Sequence, residues 1–354
     1  MPHSTVMAVG LLSVIAFFLY LLPASRLGRK WVLIGAALLL LVSLSLAGYQ
    51  LCVWRSCCAK ERSLAAFESK LKTLHWAAYE PRSLNPRARI FAQRYGTERQ
   101  IRTELTALRK AGFQGLITFG ADGLCGRIPR IAKSLDPPFE GVVMGVTRID
   151  DPAEVMNAIR ARRWVDAYCV GQMFTEWGFA TDDLLACIHR IARETARPVS
   201  TTLTTNGYVA YPRVAEACDW LCPDVHVDWY YDADAERAFD HTKQLIESAG
   251  RFRLGTCPDK PVLLKMISLP WREARGSSQA EQALFYQMMS RYHSSPDWPA
   301  RVYPSFFSVY DISWKRPEEG WPPGERFLGL LKDDGTPRQA AKYCVVRRTE
   351  TIRH

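Results

Sequence analysis

Residues Lys260 to Trp271 read KPVLLKMISLPW. Pro261 opens a short apolar run that closes on a Leu-Pro-Trp exit, the pattern of a strand buried on both faces. Seven other stretches share it: HWAAYEP from His75, GLITFGA from Gly115, GVVMGV from Gly141, DAYCVGQM from Asp166, PVSTTLT from Pro198, DWLCPDVHV from Asp219 and VYPSFFSVYD from Val302. Between them lie helix patterns. TERQIRTELTALRKAG carries a Thr97 cap, apolar positions at Ile101, Leu105 and Leu108, and a Gly112 stop. DDPAEVMNAIRARR places Pro152 inside an acidic first turn, TDDLLACIHRIARET follows a Thr181 cap, and DADAERAFDHTKQLIESAG is expected to stop at Gly250. Eight strands, each followed by a helix or crossover, predict an α/β (β/α)8 TIM barrel. The rival, a doubly wound open sheet, calls for G-x-G-x-x-G after its first strand, and YEPRSLNP has nothing of it.

The barrel is expected over 73–345, before a tail of 346–354 and after a membrane anchor of 1–54 and a basic amphipathic linker of 55–72. Two uncharged apolar runs make up the anchor, 6–22 and 31–54. A bilayer core takes about 20 apolar residues in a helix, so the second run spans comfortably and the first only marginally. A cleaved signal peptide competes for the first run, but no Lys or Arg precedes it. Arg26, Arg29 and Lys30 between the runs favour a cytoplasmic loop, whereas Arg55, Lys60 and Arg62 pull the other way. Orientation stays open on charge alone.

The chain of 354 residues carries a net charge of +10, spread along its length with no dense basic run interleaved with aromatics, which argues against nucleic acid as a partner. Ten cysteines show no second pair at zinc spacing beside Cys218 and Cys222, so no metal or other cofactor is expected, and buried free thiols with at most one disulfide are the plain reading.

In a barrel the site lies at the C-terminal strand ends. Those ends bring Tyr79 and Glu80, Phe119 and Asp122, Gln172 and Met173, His226, Asp228 and Trp229, Met266 and Ser268, and Tyr310, Asp311, Trp314 and Lys315, with Glu176 close behind the fourth strand. Aromatic faces among hydrogen-bonding groups suit a sugar ligand.

Six ordered stretches, from about residue 74 to 342, resemble glycoside hydrolase family 17, the β-1,3-glucanase-like barrels. AYCVGQMFTEWGFATDDLLACI is similar to the segment where that family's V-G-N-E carries the general acid. KPVLLKMISLPW resembles its K-P-V-x-x-x-E-x-G-x-P, where the Glu is the nucleophile. VYDISWK, FLGLLKDDGTPR, IRTELTALRKAGFQGLITFGADG and DWLCPDVHV complete the likeness. The resemblance implies a β-glucan or related polysaccharide as partner and an extracytoplasmic domain, beside a membrane polysaccharide-handling complex.

The departures decide the chemistry. Position for position, the acid falls on Met173 and the nucleophile on Met266, with Gln172 and Ser268 replacing the Asn and Gly beside them. A thioether has no exchangeable proton and is a weak acceptor, so neither methionine can protonate a leaving oxygen or form a glycosyl ester. Three readings stay open: an inactive, membrane-anchored glucan-binding or scaffolding barrel; an active β-1,3-glucan hydrolase or transglycosylase using displaced carboxylates such as Glu80, Glu176, Glu273 or Asp311; and a barrel mouth that docks a protein.

Overall fold

The computed structural model describes residues 26–82, 96–172, 178, 180–225 and 234–345, with the side chains of 26–34, 36, 37, 39, 50–58 and 319 excepted. The chain divides into two compact units, Met1–Ala59 and Lys60–His354.

The second unit is a curled parallel sheet wrapped in helices. Its strands are β1 (Trp76–Tyr79), β2 (Gly115–Thr118), β3 (Gly141–Val146), β4 (Ala167–Gln172), β5 (Val199–Leu203), β6 (Cys222–Pro223), β7 (Val262–Leu263), β8 (Val302–Tyr303) and β9 (Ser305–Phe306). Seven pair in the order β6-β5-β4-β3-β2-β1-β9, and β7 with β8 forms a second ribbon. Parallel bridges join the two: Leu221 to Val262 and Asp224 to Lys265 on one side, Ile267 to Phe306 on the other. Parallel pairing therefore runs all the way round, as in a TIM-type barrel. All eight expected strands are present. The last is broken into β8 and β9 at Pro304, and the sixth and seventh shrink to two paired residues each. Proline has no N–H to donate to a ladder, and Pro223, Pro261 and Pro304 all fall in these short strands or beside them.

The helices follow from caps and apolar periodicity. α1 (Arg26–Thr73) is followed by α2 (Glu98–Lys110), where Thr97 accepts from the Gln100 N–H while the Gln100 side chain accepts from the Thr97 N–H. Gly112 then takes the left-handed conformation, φ 103°, and stops the helix as expected. α3 (Ile128–Lys133) and α4 (Pro152–Arg160) come next, with Asp151 capping α4. α5 (Thr181–Thr195) begins at Thr181 itself, so the expected cap residue is already helical; Ala180 holds the cap position and Asp182 and Asp183 supply the negative charge. α6 (Thr205–Ala210), α7 (Pro212–Ala217), α8 (Ala235–Thr256), α9 (Gln279–His293) and α10 (Ala341–Cys344) complete the set.

α8 runs on past Gly250, where a stop was expected. A Cβ at that position would sit 2.6 Å from Pro299 Cβ, so the glycine permits close packing inside the helix instead of ending it.

Residues 60–72, read from sequence as part of a linker, form the end of α1 and lie within the barrel unit. Phe67 and Leu71 are buried, and the Phe67 ring meets Trp76 at 6.0 Å and Trp220 at 5.2 Å, both edge-on. Lys60 pairs with Asp219 at 2.7 Å, Lys70 with Asp166 at 2.6 Å, and Arg301 donates to both oxygens of Glu68 at 2.7 and 2.8 Å. Asp166, Asp219 and Arg301 each precede a strand, so this segment closes the N-terminal face of the barrel.

In the first unit, Leu38, Leu40, Leu41, Val42, Leu44, Leu46 and Tyr49 are all exposed on α1. Among the described residues, no helix is long and apolar enough to cross a membrane. The expected second span is described only in part, and the first, at 6–22, lies outside the described residues.

Two glycines of one helix give a direct check on its packing. Gly250→Ala should destabilise by about 1–3 kcal/mol through overpacking against Pro299. Gly255→Ala meets nothing within 4 Å and should stabilise by up to about 1 kcal/mol. Thermal melts of the two variants should move in opposite directions; a Gly250→Ala chain melting at or above the wild type would contradict the packing.

Candidate functional site at the barrel mouth

The strand ends converge, but their polar groups are largely spent on one another. Lys315, 3% exposed, sends its ammonium to Glu80 at 2.8 Å and to Glu325 at 3.0 Å. It also lies over the rings of Trp321 at 4.7 Å and Phe307 at 4.9 Å. Burial works against its charge, yet the two carboxylates outweigh burial and hold its pKa above the ordinary lysine value. Glu80, a displaced-acid candidate, is thus the partner of a buried cation.

Asp311 is enclosed in the same way. Its carboxylate accepts from Trp271 Nε1 at 3.1 Å, from the Gly329 N–H at 2.9 Å and from Arg338 at 2.7 Å. Burial raises its pKa, and the three donors oppose that rise. Glu273 pairs with Arg326. Tyr79 is fully buried and donates to Glu104 at 2.7 Å, while Tyr310 donates to the Glu104 carbonyl at 3.1 Å. Burial, followed by the Glu104 charge, pushes both phenols well above the ordinary tyrosine pKa. Neither Tyr79 nor Tyr310 offers its hydroxyl to a ligand.

Met266 sits where β7 opens into the mouth. It is 6% exposed and holds φ at 68°, a conformation that L side chains adopt at a cost of roughly 1–2 kcal/mol. The Gln172 amide reaches its sulfur at 4.0 Å, and Ser268 donates to its carbonyl at 3.2 Å. Phe119, half-buried, stacks obliquely on Phe307 at 5.3 Å. Trp314 is buried against Trp321 at 5.7 Å, and its buried indole N–H has no hydrogen-bond partner among the described residues. Met173, Glu176, His226, Asp228 and Trp229 lie outside the described residues.

Several groups escaped the sequence reading. Glu104, 3% exposed, gathers Tyr79 and Arg82. A charged residue between Ile101, Leu105 and Leu108 on one helix face was the signal that could have found it. Glu325 and Arg338 come from loops and carried no such signal. Inside the barrel, Lys265 Nζ lies 3.4 Å from Thr202 Oγ1 and 4.4 Å from the Phe119 ring centre. Thr202 also meets the Cys169 sulfur at 2.9 Å and the Cys222 sulfur at 3.9 Å. Hydrogen bonding from Cys222, with the Lys265 charge and Thr202 adding to it, brings the Cys169 thiol down to about 7 against its burial. The seven described cysteines are all free. Among the described residues, no three His, Cys, Asp or Glu groups gather as a metal site would need.

No family model and no curated protein matches the chain. Solved structures do. A β-D-glucuronidase of Dictyoglomus thermophilum superposes with TM-score 0.52 at 13% identity over 77% of this chain and 49% of its own. A Bacteroides uniformis β-glucuronidase gives TM-score 0.51 at 14% identity over 77% and 34%. A variant from glycoside hydrolase family 5, subfamily 18, of Streptomyces cattleya, in complex with Manβ1-4GlcNAc, gives TM-score 0.54 at 13% identity over 80% and 82%. The chain spans about half the length of the first and a third of the second. The fold is therefore a glycoside-hydrolase-like (β/α) barrel, and identities this low show the fold alone.

Lys315 gives the mouth a measurable signature. Lys315→Met leaves Glu80 and Glu325 without their cation and should cost about 3–5 kcal/mol in denaturant unfolding. The wild-type pKa is raised, so the stability it supplies is complete below the unfolded lysine value of about 10.4 and is lost as pH rises through the higher folded value. The stability difference between wild type and Lys315→Met should shrink only above that point; a difference that vanishes near neutral pH would contradict the ion-pair assignment.

Proposed function

We propose that this barrel is a catalytically silent relative of glycoside hydrolase family 17 that binds a β-glucan or related polysaccharide. The observation that carries the reading is Met266 at the mouth end of the strand where the resembling family presents its nucleophile, wedged against Gln172. Retaining hydrolysis needs two carboxyl groups about 5–5.5 Å apart, one of them free to donate a proton. The described candidates for a displaced acid are tied up, Glu80 by Lys315, Glu273 by Arg326, and Asp311 by Trp271, Gly329 and Arg338, while Asp122 at the end of β2 is exposed. Freeing Glu273 or Asp311 would leave Arg326 or Arg338 without its carboxylate, and freeing Glu80 would leave the buried Lys315 with Glu325 alone. These contacts argue against displaced carboxylates as the alternative source of activity. The half-buried Phe119 face favours a ligand with apolar ring faces.

The chain is further proposed to be held at a membrane, with the barrel on the extracytoplasmic side and beside a polysaccharide-handling complex. Support comes from the apolar runs at 6–22 and 31–54 and from side chains such as Leu38, Leu41, Leu44 and Tyr49, exposed right around one helix.

One preparation tests both parts. Membranes carrying the full chain are washed with alkaline carbonate, and the retained protein is titrated with β-1,3-linked glucose oligosaccharides while sugar release is followed. Retention, saturable binding and no hydrolysis are expected. Release by carbonate rejects the anchor; absence of binding to any β-glucan rejects the ligand; hydrolysis rejects the silent barrel.

A further inference from the structure

At the N-terminal face, opposite the mouth, lies a cleft of about 1120 Å³. Lys72 at the end of α1, Lys110 at the end of α2 and Lys342 in α10 all line it, and no Asp or Glu is among its described lining residues. No described residue forms an ion pair with any of the three; Lys342 lies only over the Tyr343 ring, at 4.8 Å. Several lysines of the unit are matched: Lys60 with Asp219, Lys70 and Lys133 with Asp166, and Lys315 with two glutamates. The helical neighbour best placed to neutralise Lys72 is Glu68, one turn earlier, and both of its oxygens are taken by Arg301. The lysines end helices, where they face carbonyl ends worth about half a negative charge each. Three full charges exceed that, so the cleft stays positive. Its wall also offers Tyr303 and Tyr343, both half-buried.

We propose that this cleft is a binding site for a small organic phosphate, with the phosphates among Lys72, Lys110 and Lys342 and a ring or apolar portion against Tyr303 and Tyr343. A concave site of this volume holds a ligand of nucleotide size. Ammonium groups serve phosphates as point charges and need no fixed fork geometry, which suits flexible side chains from three separate helices. The site shares no residue with the mouth and stands whether or not the mouth binds a glycan.

Calorimetry on the full chain at low salt, with pyrophosphate and uridine diphosphate as probes, tests the site. Saturable binding of both is expected, weakened about tenfold or more by the triple substitution Lys72→Gln, Lys110→Gln, Lys342→Gln and by raised salt. Lys332→Gln, an exposed lysine outside the cleft, should leave affinity unchanged. All four lysines are exposed, so the variants should melt with the wild type. No binding of either probe by the wild type, or equal binding by the triple variant, would overturn the proposal.

Discussion

Every strand in this barrel must find a neighbour on both sides, because an unpaired parallel edge leaves a row of N–H and C=O groups with no partner. The shortest strands of the ring are β6 to β9, where Pro223, Pro261 and Pro304 each withhold an N–H from the ladder. There the named strands are only two residues long, and backbone bonds beyond them carry the pairing onward. Lys265 donates to the Pro223 carbonyl at 2.9 Å and receives the Val225 N–H at 3.1 Å, and Ile267 exchanges with Ser305 and Phe307 at 3.2 and 2.9 Å. Those few bonds place Met266 between them. Its left-handed backbone is the point at which β7 leaves the ladder and turns into the mouth. The position that resembles a nucleophile's is therefore set by closure of the ring, with or without a carboxylate.

The two faces of the barrel deal with charge differently. At the mouth, Lys315, Arg326 and Arg338 each meet a carboxylate, and burial of Lys315 and Asp311 makes those pairings costly to undo. A sugar can lie on such a surface by stacking and by taking leftover donors, but proton transfer needs an acid whose proton is free. At the opposite face the end of α1 seals the base with its own ion pairs and leaves three lysines beside it unmatched. Ion-paired closure at one end and unmatched lysines at the other give one fold two different surfaces.

Much of this was legible in the sequence. Continuous apolar runs such as GVVMGV mark strands buried on both faces, and Gly141–Val146 is a strand from end to end. Thr97 was legible as a helix cap, and the structure adds Gln100, whose side chain returns the bond as a capping box. Gly250 was misleading, since a glycine at a helix end and a glycine under a proline look alike until Pro299 is seen to pack on it. The linker was misleading for a related reason. A basic amphipathic stretch can coat a surface or plug a barrel, and only Trp76 and Trp220 show that Phe67 does the latter. At the site, sequence placed Glu80, Asp311 and Lys315 at the strand ends. It could not show that Glu325 and Arg338, from distant loops, would occupy them, because ion pairs between loops leave no periodic trace.

The central proposal is that none of Glu80, Glu176, Glu273 and Asp311 attacks a sugar at this mouth. It is tested most directly by intact-mass measurement of the full chain after incubation with a 2-fluoro β-glucoside bearing a good leaving group, a reagent that accumulates as an ester on a nucleophilic Asp or Glu. An unchanged mass is expected. A stoichiometric glycosyl adduct mapped to Glu80, Glu176, Glu273 or Asp311 would contradict it.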